Sequence, residues 1–358
     1  MLGISGRHRC QWASEKAASC NDNPWRISSV PFNRRRYHLD TSLSPTHFNL
    51  SRWLSQQGWK ATRFNSLSSI NDKVLLFNEA AAQTLEYKHL LAKLVANYCP
   101  HVAPQTFCID DGNWQEVVHR LLCIHAQLPP QEKLAWILKP ALLNNGQHIH
   151  VFNTPEALAA HYVQSKRMGG MHVLQRYLCP HLLRDDRKYS IRLFGILTNY
   201  DGAYCYKDGY FNVALHPYVE DYSDLRPHLT NEHLLDPKVN VIQIPASRFA
   251  QFSHYLPQID AILQQVLRGL HSDFPEAFRC SRQRTLALFG FDFMVDNHER
   301  LWLLEANHGP CFPIDDHHPL QGPLYQGFWQ GLIHSFIEPI ADNRPVNRID
   351  YPHFNKVL

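Results

Sequence analysis

The chain has 358 residues, 44% hydrophobic and 12% aromatic, which excludes a disordered protein and allows a sizeable core divided over two or three subdomains. Lys and Arg number 35 against 32 Asp and Glu, a net charge of +3, so charge gives no ground for nucleic-acid binding and permits only a mild preference for acidic partners. The nine cysteines include no C-x-x-C pair, and no apolar run approaches the ~20 residues that cross a bilayer; the expectation is a cytoplasmic protein with reduced thiols, without nucleic-acid or membrane partners.

The first 36 residues hold Arg7, Arg9, Lys16, Arg26, Arg34, Arg35 and Arg36 against Glu15 and Asp22. Residues 1–32 therefore read as a basic, disordered arm or an organellar presequence. After it, RRRYHLD predicts a strand and SPTHFNLSRWLSQQGW a helix, with Phe48, Leu50, Trp53 and Leu54 at helical spacing and Gly58 as C-cap. ATRF and KVLLF predict two short strands, completing an α/β layer over residues 33–86. LEYKHLLAKLVANY, Leu85 to Tyr98, predicts one amphipathic helix; TFCID a strand; WQEVVHRLLCIHAQL a helix closed by Pro129-Pro130.

Strands then dominate: AWILKP, HIHVF, HVLQRYL, YSIRLFGILTN, GAYCYKDGYFNVA with a turn at YKDG, and a hairpin LALFGFDFMVDNHERLWLLEANHGP. Helices fall at PEALAAHYVQSK, FAQFSHYLPQIDAILQQVLRGLHS and YQGFWQGLIHSFIEPI. The predicted class is α+β with a mainly antiparallel sheet, in a central domain over 87–178 and a larger C-terminal domain over 179–358.

The hairpin carries Asp292, Glu305 and Asn307 inside apolar runs. A four-residue turn over Asn297 to Arg300 sets Asp292 opposite Glu305, and alternation puts Asn307 on the same face as Glu305. Opposed carboxylates repel unless a cation lies between them, and an oxygen-only set suits Mg²⁺ shared with phosphates; solvated strand edges are the other reading. Lys139 ends one strand before the Asn144-Asn145-Gly146 turn, where a hairpin can cover phosphates or simply be a hairpin. Lys188, Ser190 and Arg192 alternate with Tyr189, Ile191 and Leu193, so two cations share a strand face. IDDHHP lacks helical H-x-x-x-H spacing and reads as a polar loop rather than a zinc site, and Cys311 has no placed base.

Five segments in this order, WILKP, LQRYL, RKYSIR, HLTN and FGFDFMVDNHERLWLLEAN, resemble the tubulin tyrosine ligase-like family of the ATP-grasp superfamily, over roughly Lys73 to Gly309. The resemblance implies an ATP-grasp fold and an ATP- and Mg²⁺-dependent carboxylate–amine ligase that adds a free amino acid to a protein or peptide carboxylate through an acyl-phosphate, on an acceptor such as the acidic tail of tubulin. It implies that Asp292, Glu305 and Asn307 bind Mg²⁺, and that Lys139 and Lys188 hold ATP phosphates. Gln175 and the backbone of Arg176, Tyr177 and Leu178 would receive adenine, with Asn231 and Lys88 beside the nucleotide. Arg192 would orient the acceptor carboxylate or acyl-phosphate, making Arg192, Lys188 and Glu305 the catalytic set. The chain departs from the family at Ser190 (usually Asp), Arg176 (usually Lys), Lys207 (usually Arg) and in the glycine-poor loop NNGQH. A catalytically weakened ATP-binding interaction protein and a small-molecule carboxylate–amine ligase are the alternatives.

Overall fold

The computed structural model describes residues 35–129, 134–143, 146–231 and 240–358; the expected basic arm and the Asn144-Asn145 part of the expected phosphate loop lie outside them. At the start, β1 (Arg36–His38), α1 (Pro45–Gln56), β2 (Lys60–Ala61) and β3 (Ile70–Asn71) form a small layer whose strands pair in parallel in the order β2-β1-β3. Helix α1 begins where Ser44 accepts a hydrogen bond from the His47 amide and Pro45 fixes the first turn. Its Leu50, Trp53 and Leu54 are buried. Only Lys60–Ala61 is strand near ATRF, and KVLLF is not a strand: Asp72–Leu75 is a 3-10 turn started by the Asn71 side chain, and the strand lies just before it.

The helix expected over Leu85 to Tyr98 is two helices, α2 (Glu79–Glu86) and α3 (Lys88–Tyr98), separated at Tyr87, whose backbone is extended (φ −79°, ψ 118°). Helical periodicity continues across the break, so the sequence pattern hides it. The break makes Lys88 the first residue of α3, where its amide reaches the Ala141 carbonyl and its ammonium the Leu143 carbonyl at 2.8 Å.

A second sheet consists of β4 (Thr106–Ile109), β5 (Trp136–Pro140), β6 (His150–Phe152) and β7 (His172–Arg176), antiparallel in the order β4-β7-β5-β6. Helices α4 (Trp114–Ala126) and α5 (Pro155–Val163) cover one face through Leu121, Trp136, Leu138, Leu158 and Leu174. By alternation the opposite face carries Ile137, Lys139 and Gln175.

The third sheet is the largest. β8 (Arg187–Thr198), β9 (Gly202–Pro217), β10 (Val241–Pro245), β11 (Leu286–Val295) and β12 (Leu301–His308) run β10-β9-β8-β11-β12, all antiparallel, and β13 (Phe354–Lys356) adds to β9. YKDG is not a turn: Tyr206 to Gly209 lie within β9, at a register irregularity against β8. Helices α2, α3 and the long α6 (Phe252–Asp273) bury the face bearing Tyr189, Ile191, Leu193, Phe289 and Phe291. On the other face a helical run from Gln321 to Ala341, containing α7 (Gln326–Leu332), α8 (Glu338–Ala341) and two wider π-type turns, covers Phe194 and Ile196. It leaves Arg192, Ser190 and Lys188, further along the same face of β8, as the wall of a cleft. The result is an α+β protein with mainly antiparallel pairing, and no helix among the described residues is long and apolar enough to cross a membrane.

Candidate active site

The acid hairpin reaches the expected opposition of Asp292 and Glu305 by a different route. The connection is five residues, 296–300, closed by Asp296, whose carboxylate accepts the His298 and Arg300 amides at 2.9 Å. A five-residue connection with regular pairing would set Leu304 opposite Asp292 and turn Glu305 toward the core. A bulge between Asp292 and Phe293 absorbs Leu304 instead and restores the Asp292–Glu305 pair. So Leu301, Leu303 and Ala306 enter the core while Leu304 and Glu305 face the cleft.

In register across four strands, Glu305, Asp292, Arg192 and Tyr210 form one row. Arg192 grips Asp292 with both forks of its guanidinium, Nε to Oδ1 and Nη2 to Oδ2, each 2.6 Å. Gly290 permits this crossing, since a Cβ there would stand 2.9 Å from Arg192 Nη1. The Asn307 amide donates to Asp292 Oδ2 at 3.1 Å and to Glu305 Oε1 at 3.5 Å, and Lys88 Nζ stands 3.8 Å from Glu305. Burial raises the Asp292 carboxyl above its ordinary range despite Arg192. Burial acts on Glu305 in the same sense, but the charges of Lys88 and Lys139 outweigh it and hold Glu305 below its ordinary range.

Lys139 donates to Gln175 Oε1 at 2.9 Å, and burial lowers its ammonium. Lys188 donates to the Tyr177 hydroxyl at 3.0 Å and the His228 carbonyl at 2.7 Å, with its ammonium over the Tyr177 ring. Burial, with Lys139 as a second positive charge, brings Lys188 down to about 7. His228 in HLTN is held by the Tyr177 hydroxyl and the Asp221 carbonyl, and Thr230 donates to Ser190, where the family usually has an acid.

Lys88, Lys139, Gln175, Arg176, Tyr177, Leu178, Lys188, Arg192, Asn231, Asp292 and Glu305 all line one cavity of about 210 Å³, and Asn307 is tied to its two acids. A neighbouring cavity of about 910 Å³ shares Lys88, Lys139, Gln175 and Leu304. The geometry adds residues that sequence reading missed. Ile137, Met294 and Leu304 give the cleft an apolar lining beside the 176–178 backbone, but in sequence they look like core. Asn212 and Gln243 also face it; strand alternation in FNVA was the available signal for the first. Lys207 points elsewhere, donating to the Pro352 carbonyl at 2.8 Å.

A sequence profile of the Tubulin-tyrosine ligase family matches residues 113–345, more than half of the chain. The chain belongs to this family. Among relatives in it, the chain is 27% identical over 216 residues to tubulin glycylase 3C of Tetrahymena thermophila, covering 54% of this chain and 20% of the relative. It is 25% identical over 201 residues to the probable tubulin polyglutamylase TTLL2 of Mus musculus (50% and 35%), and 25% over 288 residues to the mouse tubulin polyglutamylase TTLL5 (71% and 20%). The chain thus matches between a fifth and about a third of the length of these relatives.

The donor set fits the metal that family membership brings into question. Among the described residues no group of three or more His, Cys, Asp and Glu side chains comes together; Asp292 and Glu305 stand beside the Asn307 amide, whose nitrogen faces them, and with that amide turned end for end the three would offer hard oxygen donors of the kind that suit Mg²⁺. Three lysines and an arginine surround them, as a polyphosphate would require.

Proposed function

We propose that the second and third sheets are the halves of an ATP-grasp fold, and that the chain is an ATP- and Mg²⁺-dependent ligase joining an amino acid to a protein carboxylate. The observation that carries this reading is the single cavity in which the acid row Glu305–Asp292–Arg192 meets Lys88, Lys139 and Lys188, beside an apolar slot of Ile137, Met294 and Leu304. A purine would lie in that slot and hydrogen-bond the backbone groups of residues 176–178 that remain once the Arg176 and Tyr177 amides bond the Gln105 and Ala135 carbonyls; Lys139 and Lys188 would hold phosphates, with Lys88 and Asn231 beside them. Asp292, Glu305 and Asn307 would hold Mg²⁺, which neutralises phosphate charge when bound; the Asn307 amide then turns its oxygen inward.

An acceptor carboxylate oxygen attacks the γ-phosphorus, forming an acyl-phosphate as the bond to ADP breaks. The incoming amine then displaces phosphate to form the amide and loses a proton. The chain's residues supply position and fixed charge, the main sources of catalysis in phosphoryl transfer. Lys188 and Arg192 flank the transferring group. The glycylase and polyglutamylase names of the relatives support a protein acceptor, with an acidic tubulin tail as the first candidate. Calorimetric titration with Mg²⁺ and a non-hydrolysable ATP analogue tests the cleft: micromolar binding by the wild type, weakened at least about tenfold in Glu305→Gln, is expected. Equal binding by both would remove the metal role.

A further inference from the structure

Lys188 ends a chain of side chains whose hydrogens have a single arrangement. Its buried ammonium donates to the Tyr177 hydroxyl at 3.0 Å and to the His228 carbonyl at 2.7 Å. The Tyr177 hydroxyl lies 2.8 Å from His228 Nδ1, and His228 Nε2 lies 2.9 Å from the Asp221 carbonyl. A carbonyl only accepts, so Nε2 carries the imidazole hydrogen and donates it. Burial, with the charge of Lys188 beside it, holds His228 below its ordinary range, which leaves Nδ1 a lone pair. An ammonium only donates, so the Tyr177 oxygen accepts from Lys188 while its hydrogen goes to His228 Nδ1. Each group thereby fixes the next, from Asp221 to His228 to Tyr177 to Lys188.

The chain uses two of the three ammonium hydrogens. The third has no partner among the described residues, and Lys188 lines the cleft. The two acceptors come from different parts of the fold: Tyr177 follows β7 of the second sheet, and His228 lies between β9 and β10 of the third. An ammonium tied to both has little freedom to swing. Lys139 on β5 faces Lys188 as a second cation and Cys179 as a thiol, and Arg192 stands two residues along the same strand face. Tyr218 and Tyr222 close round the His228 ring, with the Asp221 and Asp224 carboxylates beyond it. Among the described residues no carboxylate pairs with Lys188, so the two neutral oxygens of Tyr177 and His228 stand where an acid would.

We propose that Tyr177 and His228 are positioning residues that act through Lys188, holding its ammonium so that the remaining N–H points at the phosphate to be transferred. The proposal rests on the ligase reading and deepens it. A hydrogen bond accepted from a charged group favours that charge. Loss of the Tyr177 oxygen therefore lowers the pH at which Lys188 gives up its proton, an effect that packing alone does not produce.

The test is calorimetric titration with Mg²⁺ and a non-hydrolysable ATP analogue over a series of pH values, with the melting temperature followed in parallel. In the wild type, affinity should begin to fall as pH rises past about 7. Tyr177→Phe keeps the ring and removes the oxygen, and the fall should begin about one pH unit lower, the value of one hydrogen bond to a charged group. His228→Leu should move the onset the same way, because the Tyr177 hydroxyl loses the acceptor that directs it. His228→Asn, whose side-chain oxygen can take the Tyr177 hydrogen, should bring it back toward the wild type. An unmoved onset in Tyr177→Phe, or in His228→Leu if the phenylalanine variant fails to fold, overturns the proposal, as does a wild type whose affinity does not fall with pH. Equal shifts in His228→Leu and His228→Asn overturn the part assigned to His228. A wild type that binds no ATP analogue at any pH overturns the ligase reading instead.

Discussion

Two residues in the cleft carry charge that the fold itself does not favour. Lys188 is 5% exposed and its ammonium is brought to about 7 by burial. Its cation is present below that pH and lost above it, so ATP affinity should be highest below pH 7 and fall as pH rises. Because bound phosphate favours the charged lysine, binding at pH 8 should take up a proton, seen as buffer-dependent heat in calorimetry, and Lys188→Met should abolish the uptake. The unfolded chain binds this proton more tightly than the folded one, so the native lysine costs stability, in full below about pH 7 and progressively less as pH rises toward the ordinary lysine value. Lys188→Met should therefore melt higher at pH 7.5 while binding ATP about tenfold to a hundredfold more weakly. Asp292 differs, because its removal leaves the buried guanidinium of Arg192 without its partner. Asp292→Ala should cost about 3 kcal/mol or more of stability as well as activity, measurable by urea denaturation. Glu305→Gln keeps the side chain's shape and loses only the looser ion pair with Lys88, at 3.8 Å, so it separates chemistry from folding better than Asp292→Ala.

The elements that place these residues obey local rules only in part. Period-two alternation in RKYSIRL was enough to put Lys188 and Arg192 on one face, since a core on one side of a sheet enforces register; the expected Asp292–Glu305 opposition rested on a four-residue turn and is reached through a bulge instead. The bulge was not legible: LWLLEAN alternates imperfectly, and nothing local says which residue is absorbed. Its position predicts that neighbouring leucines behave differently. Leu303→Ala, in the core, should cost 2–5 kcal/mol, whereas Leu304→Ala should change stability little and weaken ATP-analogue binding several-fold. Equal destabilisation by both would place the bulge elsewhere. Gly209 sits where a Cβ would come 2.3 Å from the Arg192 carbonyl. Gly209→Ala should push β9 off β8 beside Arg192, lowering both melting temperature and acceptor binding. The break at Tyr87 escaped sequence reading because hydrophobic periodicity spans it, and β10 and β13 because each is short and paired far along the chain. KVLLF has strand composition, yet the Asn71 side chain captures its first turn.

At the scale of the molecule, one cleft between two antiparallel sheets collects residues from Lys88 to Glu305. Charged and polar members stood out in sequence because apolar strands have few reasons to carry them. The apolar members did not, since Ile137, Met294 and Leu304 are the side chains that a protein core also selects. Family membership agrees with the cleft. The most direct measurement is intact and peptide mass spectrometry of cell proteins incubated with the purified chain, ATP, Mg²⁺ and mixed amino acids. New masses of one or more amino-acid residues on protein carboxylates are expected with the wild type and none with Glu305→Gln. No adduct from a folded, ATP-binding wild type, or equal adducts from both proteins, would contradict this.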